Sequence, residues 1–228
     1  LFPYTTLFRS LKAAKKALKA AKGIKPIKPV KLRFKTRTEP NTKEWRRWKE
    51  TLSKEQVDAF ENWTAGAYGK IRKCQQRPRQ CTPETKRMLA QLDSALATAP
   101  KYEGTTYRGM SLDKSEYNKI IKKGKFETSA FASTSRDIDI AQDFAIETFQ
   151  EQAHEAAEFE EETDHIPVLL EFRQRNSGSW VGNLSSVPEE DEVLFTKGRK
   201  FKVVNTVEDR GLEEFDEPLM RIILEEIE

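Results

Sequence analysis

The chain has 228 residues, 34% of them charged and 37% hydrophobic, with a formal net charge of +3. Thirteen Phe, four Trp and five Tyr supply enough large side chains for a globular core, and no stretch approaches the roughly 18 uninterrupted apolar residues that a membrane-spanning helix requires. The net charge hides an asymmetry: residues 1–50 hold 16 Lys/Arg against 3 Asp/Glu, whereas residues 51–228 hold 24 against 34, so a basic arm precedes an acidic body.

Residues 1–10 carry neither an initiator Met nor a cationic segment leading into a long apolar run, and they read as foreign sequence rather than a signal peptide. From Ser10 to Gly23, Leu11, Ala14, Leu18 and Ala21 recur at helical spacing among lysines. Such a basic amphipathic helix suits nucleic acid, a membrane surface or an acidic partner, or is a solvated tail. The prolines of Ile24-Lys25-Pro26-Ile27-Lys28-Pro29 favour an extended linker, so residues 1–40 are expected to be an arm and 41–228 a domain, with the whole cut from something longer.

Helices come first in the body. Trp45 and Trp48 stand at i, i+3; Ser53 and Gln56 form a capping box that opens a helix through Val57, Phe60 and Trp63. Further helices are predicted over 64–72 and, with Pro83 in the first turn, over 82–97. Cys74 and Cys81 lie close together with no His nearby, which indicates neither a zinc site nor a disulfide framework; free thiols are expected rather than a bridge.

The period then changes to that of strands, predicted over 105–108, 130–133, 167–172, 193–195, 200–204 and 219–224, with helices near 113–122 and from Asp137. Between Glu147 and Asp164 lie eight acidic residues and no basic ones, either a continuation of the helix or an acidic loop. Helices followed mainly by strands predict an α+β fold. No metal is expected, since His154 and His165 lack a ligand spacing.

Chemistry gathers at strand ends. In Tyr107-Arg108-Gly109 an Arg closes an apolar strand and needs an anionic partner, while Gly109 lets a ligand approach the backbone. Phe131-Ala132-Ser133-Thr134-Ser135 runs from a strand into hydroxyls; capping of the next helix explains Ser135 but not Ser133. In Pro188-Glu189-Glu190-Asp191-Glu192-Val193-Leu194-Phe195, Glu190 and Glu192 alternate, so an extended backbone points both carboxylates the same way. An anion-holding Arg, a hydroxyl and two carboxylates suit a substrate with phosphates and a departing cationic group.

These three motifs, in this order, resemble those of the arginine-specific class of mono-ADP-ribosyltransferases, a family that includes actin-modifying bacterial toxins and domains of phage head proteins. The resemblance runs from about Leu52 to the C-terminus: Tyr107-Arg108-Gly109 is similar to the family's aromatic-Arg-Gly strand, residues 131–135 to its Ser-Thr-Ser strand, and Glu190-Asp191-Glu192 to its Glu-x-Glu strand. It implies N-terminal helices packed on a mixed, mainly antiparallel two-sheet β core, and NAD as the substrate from which ADP-ribose passes to an arginine of a target protein.

It also implies a division of labour. Glu192 holds the nicotinamide ribose and stabilises the cation formed when the glycosidic bond breaks, and Glu190 orients the attacking guanidinium. Arg108 binds phosphate, Gly109 offers backbone bonds to the nicotinamide amide, and Ser133 holds Glu192 in place. Tyr68 matches an aromatic on the helix roofing the NAD site; four residues on, where the toxins commonly carry Asn, this chain has Arg72, a further phosphate-binding candidate. Phe144 either stacks on the nicotinamide or belongs to the core. Trp180 lies in the target-recognition segment, where it either docks a protein surface or is buried.

The implied protein is soluble, a secreted or injected effector or phage-associated. The alternatives are an NAD glycohydrolase, in which water replaces the guanidinium, and a non-catalytic interaction domain using the basic arm on nucleic acid. Glu190 favours transfer to arginine, because family members lacking it usually modify other acceptors.

Overall fold

Trp45 and Trp48 fall on one face of helix α1 (Lys43–Thr51) and are both buried. The computed structural model describes residues 43–158, 163–209 and 217–227, so the basic arm expected over 1–40 and the centre of the acidic run lie outside the described residues. Each indole satisfies its N–H across the fold: Trp48 Nε1 donates to the Ala95 carbonyl at 3.1 Å and Trp45 Nε1 to the Trp180 carbonyl at 3.0 Å. Helix α1 is thereby fastened both to helix and to sheet.

Helix α2 (Lys54–Asn62) starts at the expected capping box, with the Ser53 and Gln56 side chains each bonding the other's backbone. The predicted break before the next helix is a π-helical turn (Trp63–Ala67), in which Gly66 takes φ 121°, a conformation that costs other residues dearly. This turn delivers the chain into helix α3 (Tyr68–Gln76). Helix α4 (Pro83–Thr98) is capped by Thr82, whose hydroxyl accepts from Thr85 N.

Between α3 and α4 the short turn Pro78–Gln80 folds the chain back and brings the Cα atoms of Cys74 and Cys81 to 4.8 Å, where they form a disulfide. The expectation of free thiols is therefore corrected. Spacing along the sequence did not reveal that this turn closes the gap to bridging range.

The remaining elements are β1 (Gly104–Asp113), α5 (Lys114–Lys123), β2 (Lys125–Glu127), β3 (Ala132–Ser135), α6 (Ile138–Glu158), β4 (His165–Gln174), β5 (Gly178–Trp180), β6 (Glu192–Phe195), β7 (Lys200–Asp209) and β8 (Leu219–Glu226). They form one α+β body with a mixed sheet of order β2-β7-β8-β4-β1-β3-β6-β5, antiparallel except for β4 against β8. The two halves of the expected core meet between β1 and β3, which share a single register pair, Tyr107 with Ser135, whereas β1 and β4 share ten. The acidic run continues helix α6 as far as Glu158.

Aromatic rings fill the space under the sheet. Phe172 contacts Phe195 and Phe201 edge-on at 5.0 and 4.9 Å, and all three are fully buried. Burial of each such ring stabilises the fold by about 1.5–3 kcal/mol. On the other face α6 lies against β1 so closely that a Cβ on Gly109 would collide with the Ala141 carbonyl oxygen and stand 2.5 Å from the Ala145 nitrogen. The aromatic-Arg-Gly strand thus needs its glycine for packing, whatever else approaches it.

Gly109→Ala must push α6 off the sheet, and we expect it to lower stability by about 3 kcal/mol in urea unfolding. An unchanged midpoint would show that the helix yields at little cost.

Candidate active site

Strand register assembles the site. Tyr107 on β1 pairs with Ser135 on β3, which pairs with Glu192 on β6, so the three form one row across the sheet. Arg108 is the next residue along β1, and its Nη1 donates to the Ser133 carbonyl oxygen at 2.6 Å. The guanidinium crosses the narrow joint between the two halves of the sheet. Ser135 Oγ accepts from Asp137 N at 2.8 Å in the turn before helix α6. The helix begins at Ile138 and is capped by Asp137, whose Oδ1 accepts from Asp139 N at 3.0 Å, so the cap expected of Ser135 is corrected to Asp137.

A cleft opens over this row. Arg108, Gly109, Ser133, Glu190 and Glu192 line it from the sheet side, Tyr68 and Arg72 from α3, and Phe144 with Ile140 from α6. Of the sequence-predicted site residues, only Trp180 is outside it. That indole is 4% exposed, packs on Trp45 with ring centroids 4.9 Å apart, and donates through Nε1 to Asp191 at 2.8 Å. Of the two readings open for Trp180, surface docking is corrected and burial holds: a large apolar ring with its single N–H satisfied inside is a core residue.

Glu192 is 3% exposed at the first position of β6. Its Oε1 accepts from Trp63 Nε1 at 3.0 Å, a contact spanning 129 residues. Burial raises its pKa, opposed by the Ser133 hydroxyl, the Trp63 N–H and the Arg108 charge; the net direction is upward. Oε2 is buried and takes no hydrogen bond of good geometry within the protein. A buried carboxylate oxygen left in this state is costly unless a ligand completes it.

Glu190 reaches the same cleft by a different route from the one expected. It ends a short 3-10 turn (Pro188–Glu190), and Asp191 then takes the left-handed region at φ 48°, so the segment is a tight kink and not an extended strand. The shared facing of the two carboxylates comes from that kink. Partial burial, then the Glu192 charge, then that of Glu189, push the Glu190 carboxyl up to about 7.

Trp63 is the site residue that sequence reasoning missed. It reads as one more apolar position on a helix, and nothing local marks its N–H as aimed at a carboxylate on a distant strand. Among the described residues no group of three His, Cys, Asp or Glu could hold a metal ion.

An α+β domain whose cleft sets an arginine, a serine and a carboxylate on neighbouring strands, with a second carboxylate on the turn leading into the last of them, is the class that fold and site define. The chain belongs to the ADP-ribosyltransferase exoenzyme family, whose model matches residues 38–227. It is 28% identical over 162 residues to the NAD(+)–arginine ADP-ribosyltransferase EFV of Enterococcus faecalis, covering 69% of this chain and 30% of that protein. To the putative NAD(+)–arginine ADP-ribosyltransferase Vis of Vibrio splendidus it is 28% identical over 120 residues, 53% of this chain and 44% of that one. The chain thus spans less than half the length of either curated relative.

Solved structures of Vis share the fold. The inhibitor complex superposes with a TM-score of 0.62 at 22% identity, covering 82% of this chain and 78% of that one. The agmatine complex gives 0.57 at 19% identity, covering 85% and 89%.

Two expectations follow. A Glu190 carboxyl raised from 4.5 to about 7 keeps its proton in the folded chain where the unfolded chain has lost it, so the fold loses stability as pH rises from 4.5 to about 7. Glu190→Gln removes that loss, and we expect it to stabilise the protein by about 1–3 kcal/mol at pH 8 and by nothing at pH 4, read from unfolding curves at both pH values. Trp63→Phe deletes the donor to Glu192 while keeping an aromatic ring. It should cost about 1–3 kcal/mol at neutral pH, and a smaller loss at pH 4 than at pH 8 would trace that cost to the charged carboxylate.

Proposed function

We propose that this chain is an NAD-dependent mono-ADP-ribosyltransferase that transfers ADP-ribose to an arginine of a target protein and releases nicotinamide. The observation that carries this reading is the buried Glu192, held by Trp63 beside Arg108 and Ser133, with Glu190 lining the same cleft. We assign the activity to residues 41–228, with 1–40 as a preceding arm.

The residues present suit NAD. Arg108 and Arg72 place cationic side chains in the cleft for the two phosphates, and Gly109 lines the cleft beside them as the backbone assigned to the nicotinamide amide. Tyr68 and Phe144 offer aromatic faces, each half-buried and lining the cleft. Glu192 Oε2, without a hydrogen bond of good geometry within the protein, is an acceptor for a ribose hydroxyl.

Glu192 does its main work by charge. As the C1′–N bond to nicotinamide breaks, its electron pair leaves with the neutral nicotinamide and positive charge builds on the ribose. A carboxylate already stripped of water stabilises that charge strongly, and the cation in turn offsets the burial that raises the Glu192 pKa. Trp63 and Ser133 fix the orientation of the carboxylate, so little reorganisation accompanies the step.

Glu190 serves the acceptor. A guanidinium nitrogen forms the new bond to C1′ and must shed one proton, which passes to the Glu190 carboxylate and from there to solvent. A carboxyl with a pKa near 7 is suited to accept and release that proton at neutral pH. Water lacks the positive charge that a carboxylate attracts, so Glu190 favours transfer over hydrolysis. Vis, a relative by sequence, has been solved with agmatine, which is arginine without its carboxyl group. The protein reading also suits an effector or toxin; among the described residues no helix is long and apolar enough to cross a membrane.

Labelled NAD incubated with the protein and a mixed lysate should label a protein band, and Glu192→Gln should abolish it; a wild type that binds no NAD ends the transferase reading. Transfer should rise between pH 6 and 8 with a midpoint near 7 as Glu190 ionises. Glu190→Gln should lose that limb and suppress transfer at least tenfold more than NAD hydrolysis, an estimate on the scale of general base catalysis. Equal loss of both activities would remove the separate role given to Glu190.

A further inference from the structure

Asp191 sits between the two carboxylates and faces away from the chemistry. Its Oδ1 accepts from Trp180 Nε1 at 2.8 Å and its Oδ2 lies 3.1 Å from Arg136 Nε. Its carbonyl oxygen accepts from Arg136 N at 3.2 Å, so Arg136 grips the residue through both backbone and side chain. Arg136 follows directly on β3, the strand that carries Ser133, and its guanidinium stacks over the Tyr102 ring at 5.7 Å. Trp180 is in turn held by Trp45 of helix α1.

The kink that presents Glu190 is therefore tied at its centre to two rigid parts of the fold. Its leading end is tied as well: Ser186 N donates to Thr64 Oγ1 at 2.9 Å, in the same π-helical turn that supplies Trp63. Asp191 itself adopts φ 48°, which Asp and Asn tolerate better than most residues. A hydrogen bond from a buried indole and an ion pair with an arginine hold this uncommon backbone in place.

We propose that Asp191 is a positioning residue that sets how the ADP-ribosyl group is divided between a guanidinium acceptor and water. The proposal rests on the transferase reading above. Glu192 is fixed independently, because β6 pairs with β3 and Trp63 holds its carboxylate. Glu190 has no such strand partner, and its placement depends on the kink. Loosening Asp191 leaves the glycosidic cleavage machinery assembled and misplaces the acceptor-side carboxylate, so the effect falls on the guanidinium. A displacement of about 1 Å at a reacting group can cost up to a hundredfold in rate.

The test compares NAD hydrolysis without acceptor and ADP-ribosyl transfer to agmatine, for wild type, Asp191→Asn, Arg136→Gln and Arg136→Lys. Asp191→Asn keeps the size and the left-handed tolerance of the residue and removes its charge; Arg136→Gln breaks the same ion pair from the other side. We expect both to lower kcat/KM for agmatine by about tenfold or more, mostly through KM for agmatine. Hydrolysis and KM for NAD should stay within about twofold, and Arg136→Lys should recover part of the loss. Transfer unchanged in both variants, or hydrolysis and transfer falling together, overturns the positioning role while leaving the transferase reading intact. A wild type that neither hydrolyses NAD nor modifies agmatine overturns both.

Discussion

The structure is organised around a carboxylate that its surroundings disfavour. Glu192 lies at the start of β6 and is 3% exposed, and removing a charge from water is expensive even when partners are supplied. The partners come from across the chain: an indole N–H from the π-helical turn, a hydroxyl from β3 and a guanidinium from β1. Each requires a particular piece of architecture. Gly66 gives the turn its shape, the single Tyr107–Ser135 pair brings β1 beside β3, and Gly109 lets α6 press against β1 next to Arg108.

The two carboxylates share a cleft and differ in environment. Glu192 is enclosed and oriented by side chains; Glu190 is partly open and shifted mainly by loss of water, with the Glu192 charge second. Like charges placed together resist simultaneous ionisation, so a cationic group entering between them is favoured by both. A neutral acceptor gains less. Two acids of one residue type are separated in role by how much water each keeps.

Much of this was legible in the sequence because it is local. The Ser53–Gln56 capping box, Pro83 at a helix start, the apolar runs of β4 and β8, and Glu192 at a strand start all carry signals within a few residues. Arg108 and Ser133 were expected to end their strands, yet β1 runs on to Asp113 and β3 to Ser135, because pairing with β4 and β6 extends both. What escaped notice depends on contacts made at a distance. Trp63 meets Glu192 across 129 residues, and β5, only Gly178-Ser179-Trp180, has a composition that reads as loop until β6 is there to pair with it. The disulfide depends on a three-residue turn whose closure the Cys spacing does not encode. The Glu190 and Glu192 pairing was anticipated from alternation along a strand, yet it arises from a left-handed residue between them, Asp191, to which the sequence alone assigned no role.

A second buried carboxylate shows why burial alone does not mark a site. Glu171 on β4 is 4% exposed, as deeply enclosed as Glu192, and it also sits among strands. Both of its oxygens are engaged, one by Arg173 at 3.0 Å and the other by Arg221 from the parallel neighbour β8. That arrangement is closed: both oxygens are engaged, and Glu171 does not line the cleft over Glu192. Glu192 has one oxygen satisfied by Trp63, the other without a hydrogen bond of good geometry, and a cleft above it. Folding has met part of its cost and left the rest to be met by whatever binds, which is why Glu192 and not Glu171 is the carboxylate proposed for chemistry.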